Sequence, residues 1–120
     1  EVRGAELRDL LMALNTGHEG GCGTVHANGV AEVPARLEAL AALGGLSREA
    51  ASAQITAALH AVIHVERGER ERRVAEIGVF ADVEGRAVVL PAVKWDADGV
   101  MAPGDGAGRL SQLLGMEVAR

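Results

Sequence analysis

At 120 residues and 48% hydrophobic content, the chain has the length of one domain and enough apolar mass for one modest core, which excludes a disordered tail. A formal net charge of −5, the lack of a broad basic run, and Phe80 and Trp95 as its aromatic residues exclude the charged, base-stacking surface of a nucleic-acid binder. With Cys22 as its lone cysteine the chain cannot form an internal disulfide, and no apolar run nears the ~20 residues that cross a bilayer, so the sequence reads as cytoplasmic.

Leu7, Leu10, Leu11 and Leu14 fall at helical spacing and predict a first helix over 5–15, with Gly17 placed to end it in the left-handed conformation. Residues 20–27 hold too much glycine for a helix and predict a loop entering a brief strand near Thr24 and Val25. Val33, Leu37, Leu40 and Ala41 form a second amphipathic stripe, which has Pro34 in its first turn and stops at Gly44 and Gly45. Ser47 is placed to cap a third helix, with Glu49 in its first turn and Ala51, Ile55, Ala58, Leu59 and Val62 along one face. The β-branched stretch 62–65, the partly alternating stretch 74–80 and the apolar run 87–93 then predict an antiparallel meander, with turns at Gly68 and at Glu84 and Gly85. The Gly- and Asp-rich stretch 96–108 predicts a linker, and Leu110, Leu113 and Leu114 a short closing helix. The organisation expected is therefore a unit over 1–95 followed by a linker and short helix over 96–120.

The chemistry concentrates between residues 15 and 28. His18 and His26 stand at either end of a glycine-rich segment, flanked by Thr16, Thr24 and Asn28, small polar residues able to orient an imidazole or meet phosphate oxygens. Glycine-rich turns with a stray histidine are also common, so spacing alone leaves a functional and a merely structural loop open. His18, Cys22 and His26 recur every fourth residue and are all zinc-ligand types, but the glycines at 20, 21 and 23 oppose the helix that would align them, and no second ligand pair accompanies them. His60 and His64, near the junction of the third helix and the first strand, read as packing or surface residues. The alternation of Arg67, Arg70, Arg72 and Arg73 with Glu66, Glu69 and Glu71 reads as a solvated hairpin.

The motifs have a familiar order. Glu1-Val2-Arg3-Gly4-Ala5-Glu6, followed by Thr16-Gly17-His18 and then Thr24-Val25-His26-Ala27-Asn28, resembles the Walker B end and the histidine box of the type II/type IV secretion ATPases. The longer spacing between the histidines resembles the TadA/CpaF branch, which serves pilus assembly and conjugal transfer. Arg36-Leu37-Glu38, Gln54-Ile55-Thr56-Ala57-Ala58-Leu59 and Arg72-Arg73-Val74 are similar to further segments of that branch, so the resemblance runs over about 1–80.

That resemblance implies an α/β fold, the C-terminal part of a RecA-like P-loop NTPase motor domain. Its helices would be followed by an antiparallel meander and a short C-terminal helix. It implies that Glu1 and Arg3 are catalytic: Glu1 would polarise the attacking water or support Mg²⁺ through water, and Arg3 would hold the Walker B turn or answer phosphate charge. Thr16, His18, Thr24, His26 and Asn28 would sense the γ-phosphate of ATP and pass on its loss. The chain holds no G-x-x-x-x-G-K-[ST] and its one lysine, Lys94, lies far from any glycine-rich loop. ATP and Mg²⁺ would thus be bound by a longer parent, a homo-hexamer working on an inner-membrane secretion or pilus platform protein at the inner face of the membrane, and this piece alone would be inactive. A non-catalytic scaffold or interaction module is the alternative from a different class, with the zinc site through His18, Cys22 and His26 behind it.

Overall fold

The computed structural model describes residues 1–17 and 20–118. Helix α1, Gly4–Asn15, buries Leu7 and Leu11 and ends where the Thr16 hydroxyl donates to the Met12 carbonyl at 2.7 Å and Gly17 takes a φ of 101°. After an extended stretch, a single 3₁₀ turn, Val30–Glu32, runs into α2, Val33–Leu43. Two carboxylates pin this junction: Glu32 accepts the Asn28 N–H at 3.1 Å, and Glu76, from the sheet, accepts the Val30 N–H at 3.3 Å. Helix α3, Arg48–Ala58, starts with Ser47 accepting the Ala50 N–H at 3.2 Å, the expected cap.

Four strands follow in the spatial order of the chain, all antiparallel: β1 Ala61–Arg67, β2 Arg72–Val83, β3 Arg86–Trp95 and β4 Met101–Pro103. The β2–β3 hairpin closes through Glu84 (φ 52°) and Gly85 (φ 81°), the pair of left-handed residues that a two-residue hairpin loop needs. Irregularities between His64 and Val65 and between Ile77 and Gly78 leave Ala75 and Ala92 as extra residues opposite their partner strands. The second lies beside Pro91, which has no N–H to give a ladder and is tolerated at such a bulge.

Helices α1 to α3 cover one face of the sheet and α4, Ala107–Leu114, the other. Successive strand residues point to opposite faces, so Phe80 joins Leu7, Leu11, Leu37 and Ile55 on the first side while its neighbour Val79 joins Ala92, Val93 and Leu110 on the second. Both cores are mainly aliphatic, with Phe80 buried in the first and Trp95 packed at the margin of the second, which agrees with a composition poor in aromatic residues.

Three elements differ from the expectation. The third helix stops at Ala58, because Leu59 already has the extended backbone (ψ 136°) that leads into β1, so Val62 sits on a strand and not on a helical stripe. No strand forms around Thr24 and Val25, although the backbone there lies alongside residue 2. The stretch 96–108 is no plain linker: Asp96 Oδ1 accepts the N–H groups of Asp98 and Val100, each at 2.9 Å, and this turn sends β4 back along β3, Trp95 opposite Met101. Gly104 and Gly106 then donate to the Ala92 and Pro91 carbonyls and seat α4 on the sheet.

Candidate functional site

Two extended segments meet at the start of the chain. Arg3 has β backbone (φ −132°, ψ 153°), and the Val2 N–H donates to the Thr24 carbonyl at 2.8 Å, tying residues 1–3 to the loop. In extended chains neighbouring side chains point to opposite sides. Val2, Val25 and Ala27 accordingly pack toward the helical core, while Glu1, Arg3, Thr24, His26 and Asn28 face outward.

That alternation assembles a small charged cluster around Glu1. Its Oε2 accepts from Arg3 Nη2 at 2.6 Å and Nε at 3.0 Å, and its Oε1 lies 2.8 Å from His26 Nε2. The Arg3 hydrogen bonds, then the Arg3 charge, hold the Glu1 carboxyl below the usual carboxylate range, and His26 adds a smaller pull in the same direction. Glu1 is therefore ionised at neutral pH. The side chains of Arg3 and His26 are 77% and 87% exposed, so solvent or a ligand reaches both the guanidinium and the imidazole.

Of the residues singled out in the sequence, Glu1, Arg3 and His26 are brought together, and Thr24 joins through its carbonyl. Thr16 sits apart, at the end of α1, and Asn28 lies at the turn before α2, where its N–H is held by Glu32. His18 lies outside the described residues. Cys22 is an exposed free thiol. Among the described residues, no three His, Cys, Asp or Glu side chains are grouped as a metal would require, and His26 turns its Nε2 to Glu1. Beside the cluster opens a cavity of about 540 Å³ between the loop and β1, walled by Val2, Leu10, Cys22, His26, His60 and His64 among others. That His60 and His64 line one cavity with His26 was not legible in the sequence, since only the path of β1 back past the loop brings them to it.

The family model for type II/IV secretion system proteins matches residues 1–90, three-quarters of the chain. The chain belongs to this family. Putative conjugal transfer proteins from two strains of Mycobacterium tuberculosis are each 56% identical to it over 115 residues, 95% of this chain and 32% of theirs. The conjugal transfer protein TrbB of Rhizobium radiobacter is 38% identical over 77 residues, 64% of this chain and 23% of that protein. This type II/IV secretion system chain thus spans about a third of the length of the curated mycobacterial relatives it matches. The family model ends within β3, at Leu90, so β4 and α4 lie outside it, whereas the mycobacterial match extends further. Among the described residues no helix is long and apolar enough to cross a membrane.

Proposed function

We propose that this chain is a stretch of an ATP-hydrolysing motor that drives conjugal transfer, pilus assembly or secretion, and that Glu1 is the carboxylate that orients the attacking water. Family membership and the conjugal transfer relatives support the process. The observation that carries the chemistry is the Glu1 cluster: an ionised carboxylate at the end of an extended segment, held from opposite sides by a guanidinium and an imidazole. A carboxylate has about four lone-pair directions, so Glu1 can keep both partners and still accept from a water. Oxygen donors of this kind suit Mg²⁺, either directly or through its water shell, and when bound the ion supplies charge neutralisation on the transferred phosphoryl group.

In this reading Arg3 fixes the rotamer of Glu1 and keeps it ionised. His26 is a second, reversible partner: with its Nε2 on Oε1 it holds the carboxylate in the orientation that presents a remaining lone pair to water, and when the γ-phosphate is lost the imidazole can turn away. The nucleotide state would thereby set the position of the loop, in which Thr16, His18, Thr24 and Asn28 would take part. The phosphate-cradling backbone of a RecA-like core would come from other parts of a longer chain. This stretch alone would not turn over ATP. The TadA/CpaF branch, a homo-hexameric ring and an inner-membrane platform partner at the inner face of the membrane complete the proposal, as the motif resemblance to that family implies.

The test is steady-state ATP hydrolysis by the full-length protein. Glu1→Gln, which keeps the shape and removes the charge, is expected to lower turnover roughly 100-fold or more while nucleotide still binds. Turnover within about twofold of the unmodified protein would remove Glu1 from the chemistry.

A further inference from the structure

The Glu1 cluster depends on how closely the loop approaches the start of the chain, and one residue makes that approach possible. A methyl group built on Gly23 would lie 2.7 Å from Val2 Cγ2 and 3.4 Å from Leu10 Cδ2, the first well inside carbon–carbon contact distance. Gly17 and Gly20, in contrast, have open space where a side chain would go and owe their identity to left-handed backbone, with φ of 101° and 86°. Gly23 is therefore glycine for proximity and not for conformation. Its obstacle cannot step aside: Val2 is β-branched, stiff at χ1, and packed against the helical core, and Leu10 stands on α1. The next residue's carbonyl receives the Val2 N–H at 2.8 Å, and two residues further on His26 meets the side chain of Glu1, the residue before Val2.

We infer that Gly23 and Val2 are positioning residues whose close packing sets the register in which His26 reaches Glu1. A side chain at 23 lifts the loop from Val2, stretches the Val2–Thr24 bond and draws the imidazole off the carboxylate, although neither residue touches a reacting atom. The effect on turnover rests on the proposed role of Glu1. The geometric effect on His26 does not.

Both halves are measured in the full-length protein. Gly23→Ala is expected to lower kcat for ATP about tenfold or more, with the nucleotide KM little changed, because displacements of about 1 Å cost turnover on that scale. Adding Val2→Ala, which removes the obstructing methyl groups, is expected to recover most of the loss. His26→Ala is expected to lower kcat in the unmodified background and to add little in the Gly23→Ala background, since there the imidazole no longer meets Glu1. Independently of catalysis, the rate at which diethyl pyrocarbonate modifies His26, followed by peptide mass spectrometry, should rise in Gly23→Ala and return with Val2→Ala. Unchanged kcat and unchanged His26 modification in Gly23→Ala, or a failure of Val2→Ala to restore either, would overturn the inference. Full turnover in Glu1→Gln would instead sink the hydrolysis role, and the His26 modification rates would still decide the geometry.

Discussion

The paired segments 1–3 and 24–28 and the β2–β3 hairpin sit against the same helical core, yet they are held by opposite means. The hairpin pairs without a break from Gly78 opposite Pro91 to Val83 opposite Arg86, and it buries Phe80 on one face and Val79 on the other. The segment 24–28 is tied to residues 1–3 by one backbone bond, and its His26 side chain meets Glu1 in solvent. What keeps the hairpin in place is redundant, so single losses lower stability without moving it. What keeps the loop in place is sparse, so small losses move it and leave stability nearly untouched. Segments that respond to ligands come from that second kind, because a position that few contacts determine is one a ligand can change.

The sharpest way to break this contrast is Phe80→Ala. Phe80 is 2% exposed and is the largest fully buried side chain, lodged among Leu7, Leu11 and Ile55. Removing the ring leaves a cavity that rigid aliphatic neighbours fill poorly, and the expected loss is about 3–5 kcal/mol, read from the denaturant midpoint. A loss under about 1 kcal/mol would mean that this core is loose and the hairpin no firmer than the loop.

Ser52→Ala sharpens the contrast at a polar point. Ser52 is 1% exposed, and its hydroxyl donates to Glu38 on α2 at 3.1 Å while accepting the Ala87 N–H of β3 at 3.3 Å. One hydroxyl thus joins both helices to the sheet, and its loss strands a buried N–H, at a cost of about 1–3 kcal/mol. Turnover per folded molecule should not change, because no part of this bridge reaches the Glu1 cluster. A midpoint unchanged in Ser52→Ala would show that water or a shifted Glu38 takes over the bridge.

The same division decides what could be read in the sequence. The helices and the meander follow from the spacing of Leu7, Leu11, Val33, Leu37, Ala51 and Ile55 and from β-branched runs, because burial imposes a period. Strand β4 escaped because three residues carry no period and their turn, Asp96 to Val100, looks like any Gly- and Asp-rich connection until the Asp96 side chain is seen closing it. The bulge at Ala75 leaves no mark that a sequence shows, and the one at Ala92 leaves only Pro91 beside it. In the site, the motif order points to Glu1, Arg3 and His26, which do meet. Short polar side chains such as Thr16 satisfy local backbone groups as readily as ligands, and spacing cannot separate the two. Gly23 was one glycine among several in a loop; only its distance from Val2 sets it apart.

The smallest effect on stability is expected where the chemistry is proposed, and it separates the two regions most cleanly. Arg3→Met keeps the stem of the side chain and removes the hydrogen bonds and the charge that hold the Glu1 carboxyl low. The Glu1 titration, followed through its ¹³C carboxyl signal, should therefore move up toward the ordinary value of about 4.3. The sign follows from the depressed folded-state pKa. Whatever the cluster adds to stability is fully present above the ordinary value and disappears as pH falls below it through the depressed one. Near neutrality Arg3→Met thus removes the larger part of that contribution, leaving the smaller pull of His26, yet the denaturant midpoint should hardly move, because an exposed ion pair in solvent is worth little. A rising Glu1 pKa with an unchanged midpoint fits a cluster that tunes a carboxylate and does not support the fold. A clear fall in the midpoint at neutral pH would make Glu1 and Arg3 structural residues, and the distinction between a redundant scaffold and a sparsely held site would fail at the very residues that define it.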